Sequence, residues 1–249
     1  MVRLLASCFA SFAFLSVAFN AYADPLRAIS AERSLEQYQV LTIGVLADAA
    51  DPSAMLSHGE PAGTSVDVLR ELAGPRVRLD ARAYHTMTDL IGAACAGDVD
   101  IVASVSRTAD RDSCLTFTVP YSFDRAVVIA RANEDFASIS REGTGRVLVA
   151  VEDGFALEHV IREQFPQAQI RVYRDGAHAL RAVAQHEADV YFGVAPGASR
   201  LLDAPEFNGL AVVQTQSGEL NESRFAVPVA RVPLRNDLNE RLLKLGSER

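Results

Sequence analysis

The sequence predicts an α/β fold. Short β-rich runs alternate with helical patterns almost throughout, and no internal repeat, low-complexity tract or charge block interrupts that alternation.

Taken in order, residues 40–46 form a β-rich run, and the loop after it holds Asp48, Asp51, Pro52 and Gly59. Ser65 is expected to cap a helix carrying Val66, Val68, Leu69 and Leu72, which Gly74-Pro75 stops. Residues 77–81 alternate as a half-buried strand should, residues 88–96 read as a helix ended by Gly97, and residues 99–105 as a strand apolar enough to be central. Residues 119–131 are long and apolar, and read as a strand carrying the chain from one sheet to a second. The second half repeats the grammar. Strands are predicted at 147–151, 170–173, 189–194 and 210–214, and helices at 157–165, 177–186 and 234–245.

The first residues are of another kind. Arg3 precedes an uncharged apolar run over 4–19, followed by Asn20-Ala21-Tyr22-Ala23 and then Asp24, which is the order of a secretory signal peptide over 1–23 with small residues at the cut. A run of sixteen residues falls short of the twenty or so that span a bilayer. Cleavage would leave about 226 residues, enough for one large domain or two lobes, in a periplasmic location and without stable membrane insertion. Without Arg3 the mature chain has 23 basic and 32 acidic side chains, a net charge of −9 that repels nucleic acid and anionic lipid. A local cationic pocket can still favour a small anion, since salt screens distant charge within about 8–10 Å. Cys95 and Cys114 survive cleavage, and in an oxidising compartment the even pair invites a disulfide, the alternative being two unpaired thiols. The five histidines are scattered without metal-ligand spacing, and no nucleophile elbow or phosphate-cradling glycine pattern is present, so neither cofactor nor metal is expected.

One stretch is more specific. Ser104-Val105-Ser106-Arg107-Thr108-Ala109-Asp110-Arg111, followed by Leu115-Thr116-Phe117-Thr118-Val119-Pro120-Tyr121, closely resembles the family 3 extracellular solute-binding proteins, best known as amino-acid receptors of ABC importers. Gly63-Thr64-Ser65-Val66-Asp67-Val68, Leu90-Ile91-Gly92-Ala93-Ala94 with Gly97-Asp98-Val99-Asp100-Ile101, and Val149-Ala150-Val151-Glu152-Asp153-Gly154 fall in the same family order. The resemblance implies a two-lobed Venus-flytrap fold, each lobe a mixed sheet flanked by helices. Lobe 1 would take 24–121 and 222–249, lobe 2 would take 126–217, and a ligand would bind in the cleft between them.

By the same resemblance Arg111 would grip a ligand carboxylate, for which a guanidinium fork is well shaped. Ser106 and the backbone near Ser104 would hydrogen-bond the ligand, while Thr108 would serve either the ligand or the turn leading to Arg111. Other positions depart from the pattern. Met87 stands where an aromatic platform is common, and Gly154-Phe155-Ala156 lacks the usual hydroxyl pair. Val194 occupies the place of the aspartate that pairs with an α-ammonium, so the expected cleft has a positive pole and no negative one. Tyr84, His85, Phe155 and Tyr191 are further candidates for its lining.

The function so implied is a monomeric periplasmic receptor that captures a small anionic, carboxylate-bearing molecule without chemistry and delivers it to ABC transporter membrane subunits. Two alternatives stand beside it. One is a sensory or accessory module contacting another protein. The other is an enzyme like the cyclohexadienyl dehydratases of this fold, with Glu158 as general acid; Glu158 otherwise reads as a first-turn glutamate favoured by the helix dipole.

Overall fold

The computed structural model describes residues 33–47, 52–134, 147–164 and 166–247. The signal peptide expected over 1–23, Asp48, Asp51 and Phe165 lie outside the described residues.

Among the described residues nine strands form one continuous sheet. Strands β1 (Val40–Leu46), β4 (Arg78–Tyr84) and β5 (Ile101–Val105) make a parallel set at one end, with β1 between the other two. At the other end β8 (Leu148–Glu152), β9 (Gln169–Tyr173) and β10 (Val190–Val194) make a second parallel set with β8 in the middle. The antiparallel pair β7 (Ser122–Arg131) and β11 (Leu210–Pro228) joins them, and the short β6 (Leu115–Phe117) adds to β11. A separate hairpin of β2 (Met55–Ser57) and β3 (Glu60–Ala62) turns at His58 and Gly59, both at positive φ, as a two-residue hairpin loop requires.

Central strands are apolar because both faces are covered. All but one residue of β5 and of β10 is buried. Helices α1 (Thr64–Ala73), α2 (Met87–Ala96) and α6 (Val232–Ser247) serve the first half, and α3 (Leu157–Gln164), α4 (Gly176–Ala184) and α5 (Ala195–Leu202) serve the second. The buried side chains follow this division. Leu41, Ile43, Leu69, Phe225 and Leu238 belong to one cluster, whereas Ile129, Leu180, Val183, Tyr191 and Phe207 belong to another that shares no residue with it.

Several boundaries depart from expectation. Gly63, not Ser65, stands at the N-cap of α1 with φ 114°, because a Cβ there would lie 2.4 Å from the Ser53 carbonyl oxygen. Ser65 is instead buried, its hydroxyl 2.7 Å from that of Tyr121. The strand expected over 210–214 is the start of the 19-residue β11, whose polar middle hides its period while β7 pairs along it. Helix α5 falls in a stretch to which the sequence reading assigns no element, and it carries Pro196 in its first turn, where proline is tolerated. Cys95 and Cys114 form the disulfide, with Cα atoms 5.3 Å apart.

Candidate functional site

Every parallel strand points its C-terminal end at one place. The ends of β1 and β10 (Leu46, Val194, Glu152 of β8) and the residues just beyond β4, β5 and β9 (His85, Ser106, Arg174) line a cavity of about 350 Å³ between the two parallel sets. Ligands of open α/β sheets bind at carboxyl ends of strands. Helix N-termini converge there too: Thr64 opens α1, Met87 opens α2, Asp175 caps α4, and Pro196 and Gly197 lie in the first turn of α5. The dipoles of these helices give the cavity a positive backbone potential.

Arg111 lies in its wall, at the start of a 3-10 turn, and is only 7% exposed. Its guanidinium donates to the Ser106 carbonyl at 2.5 Å and across the cleft to the Gly154 carbonyl at 2.5 Å. Both acceptors are neutral, and no carboxylate pairs with Arg111 among the described residues. Burial lowers its pKa to about 10, only partly opposed by Asp110, so it stays cationic near neutrality. Further contacts join the two halves. Thr88 Oγ1 donates to Asp153 Oδ1 at 3.0 Å, and His159 Nε2 stands 3.2 Å from Asp110 Oδ2.

The residues expected from the sequence separate clearly. Arg111, Ser104, Ser106, Met87, Phe155 and Val194 all line the cavity. Ser106 Oγ donates to Asn221 Oδ1 at 2.7 Å, and Ser104 Oγ lies 3.4 Å from Ser223 Oγ, both partners being on β11. Gly154 acts through its carbonyl on Arg111, and Thr108 through its carbonyl, which accepts from the Asp112 N–H at 3.2 Å; neither lines the cavity. His85 joins the lining, whereas Tyr84 packs beside the Met87 cluster and Tyr191 is fully buried behind the wall. Glu158 is outside the lining and bonds Arg162 at 2.7 Å. Among the described residues no cluster of three or more His, Cys, Asp or Glu is placed to hold a metal ion.

The expected charge pattern is corrected. The cavity does contain carboxylates, those of Asp124, Glu152 and Asp175, together with a second cation, Arg174. Val194 therefore removes one acidic position without making the cleft free of negative charge. Asp175 caps α4 by accepting from His178 N at 2.8 Å, faces the His178 ring at 2.7 Å, and accepts from Arg174 Nε at 3.0 Å. Glu152 accepts from the Tyr191 hydroxyl at 2.6 Å.

Two α/β halves around an inter-half cleft, with a buried cation in its wall, define a Venus-flytrap binding domain. The chain belongs to the bacterial extracellular solute-binding proteins, family 3, whose model matches residues 41–246. It is 27% identical over 183 residues to the virulence sensor protein BvgS of Bordetella pertussis, an alignment that takes in 73% of this chain and 14% of that protein. The fold is similar to a histidine kinase sensor domain related to periplasmic binding proteins, with a TM-score of 0.73, 21% identity and coverage of 85% of this chain and 92% of that one. An arginine transport periplasmic binding protein from Legionella pneumophila has the same fold at a TM-score of 0.71 and 17% identity, over 84% of this chain and 94% of that one. No helix among the described residues is long and apolar enough to cross a membrane.

Proposed function

We propose that this protein is a periplasmic binding module that closes on a small carboxylate-bearing molecule and passes its bound state to a partner protein. The observation that carries this reading is Arg111, a buried cation in the cavity wall whose hydrogen-bond acceptors among the described residues are two neutral carbonyls. A ligand carboxylate supplies the missing counter-charge as a bidentate, charge-assisted pair. The helix N-termini around the cavity add to that attraction. A cavity of about 350 Å³ suits a molecule of metabolite size.

The partner is either an ABC-type importer, as the family name favours, or a sensory protein, as the similarity to BvgS favours. Pull-down of the tagged protein from its own host, with and without ligand, separates the two by the class of membrane protein recovered. The site itself is tested by a thermal-shift screen of small carboxylates, in which a ligand of the native state raises the melting temperature. Arg111→Ala should raise the Kd of the best carboxylate by about tenfold to a hundredfold. Equal affinity in wild type and variant refutes the site.

A further inference from the structure

We infer that the two halves latch to each other through groups of their own, so that the closed cleft is the resting form a partner protein meets and a ligand enters by way of a less populated open form. The inference holds whatever molecule binds at Arg111. It rests on one turn of the second half and on what that turn touches in the first.

Residues 152–159 make a tight turn into α3. The Phe155 N–H donates to the Glu152 carbonyl at 3.3 Å, the Glu158 N–H to the Phe155 carbonyl at 3.3 Å, and the His159 N–H to the Ala156 carbonyl at 3.1 Å. One braced piece of chain therefore carries Asp153, Gly154, Phe155 and His159, and each of the four meets the first half. The Gly154 carbonyl accepts from Arg111 at 2.5 Å, Asp153 Oδ1 accepts from Thr88 Oγ1 at 3.0 Å, and His159 Nε2 lies 3.2 Å from Asp110 Oδ2. The ring of Phe155 packs against the buried cluster that holds Met87, Leu90, Val105 and Phe117, all of the first half.

These contacts differ in weight. The His159–Asp110 pair and the Thr88–Asp153 bond are exposed and contribute little. The bond from Arg111 is charge-assisted and set in a buried side chain, so it is the stronger polar contact. Opening would take from this cation one of the carbonyls it donates to, and would return the Phe155 ring and the Met87 cluster to water. A second contact uses different elements: Arg200 Nη1 on α5 lies 3.2 Å from Met55 Sδ on β2, a weak acceptor. Pro52 and Ser53, just before Met55, line the cavity together with Pro196 and Gly197, just before Arg200. Met87 and Phe155 line it as well, so the halves are bridged at two places on its wall, while β7 and β11 join them through the chain itself.

The test needs no ligand. Wild type is unfolded in guanidinium chloride without reductant, dialysed free of small molecules and refolded, and native mass spectrometry verifies the mass of the chain alone. Small-angle scattering then compares it with two variants treated alike. Thr88→Val/Phe155→Ala removes the apolar contact and one bond of the turn, and Thr88→Val/His159→Ala/Arg200→Ala removes only polar groups at the surface, which keeps the fold safe. Wild type should show the radius of gyration calculated from the closed structure. Thr88→Val/Phe155→Ala should show a larger one, its closed-to-open ratio lowered by about tenfold or more, and the triple variant a smaller increase. Cooperative melting curves establish that the increase is opening and not unfolding; should the first variant fail to fold, the triple variant decides. A ligand-free wild type already larger than the closed structure overturns the inference, and so does a radius in the folded variants equal to that of wild type. Either result leaves the Arg111 reading to its own thermal-shift test.

Discussion

At Asp175 three donors meet one carboxylate, and the outcome is legible in its titration. Burial alone would raise the carboxyl, but the His178 ring and backbone N–H and the Arg174 guanidinium outweigh it and hold the pKa below the ordinary value. A folded-state pKa below the unfolded value of about 4 adds stability above that value, and this is lost as pH falls through the folded-state pKa. Asp175→Asn retains a helix cap while removing the charge. We expect the variant to be less stable than wild type at pH 7 and to lose less melting temperature between about pH 5 and pH 3. Melting curves across that range check it, and parallel curves would mean that another group governs the acid limb.

Among the elements, the least obvious connection is the disulfide. It ties Cys95, in the last turn of α2, to Cys114, the residue after the 3-10 turn Arg111–Ser113. Helix α2 opens at the cavity with Met87, so the bond couples the ligand-facing helix to the turn that presents Arg111. Closing a loop between positions 19 apart should contribute about 3 kcal/mol through the unfolded chain. The double variant Cys95→Ser/Cys114→Ser should therefore lose about 3 kcal/mol in urea unfolding. A midpoint unchanged from wild type would show that packing of α2 already holds this turn.

For the whole molecule, closure depends on how nearly the halves can approach. Gly154 sits at φ +73°, and a Cβ there would lie 2.7 Å from both the amide nitrogen and Oγ1 of Thr88 across the cleft. Only a residue without a side chain allows the Gly154 carbonyl to reach Arg111 while Thr88 reaches Asp153. Gly154→Ala is expected to hold the halves apart. Small-angle scattering should then give a larger radius of gyration than wild type at saturating ligand, and equal radii would show that the strain is absorbed within the second half.

The alternation of strands and helices, the cysteine pair and the stretch that brings Ser104, Ser106 and Arg111 to the cavity were readable along the chain. The first is written in periodicity of 2 or 3.6 residues, the second in an even cysteine count, and the third in the contiguous run from Ser104 to Arg111. Tyr191 within an otherwise apolar strand was a signal that could have announced a buried acceptor nearby. The acceptor itself was not readable. Glu152 ends a strand and Asp175 follows one, as solvated acids do everywhere, and nothing local distinguishes them from Glu158, which stays outside the cavity. Sheet order decided that. With β8 paired between β9 and β10, its last residue turns toward the cleft beside Tyr191, and the cap of α4 comes to the same wall. A charge at a strand end is solvent-exposed or ligand-facing according to which strands flank it, and that pairing is made by residues about forty positions away, as between Glu152 and Tyr191.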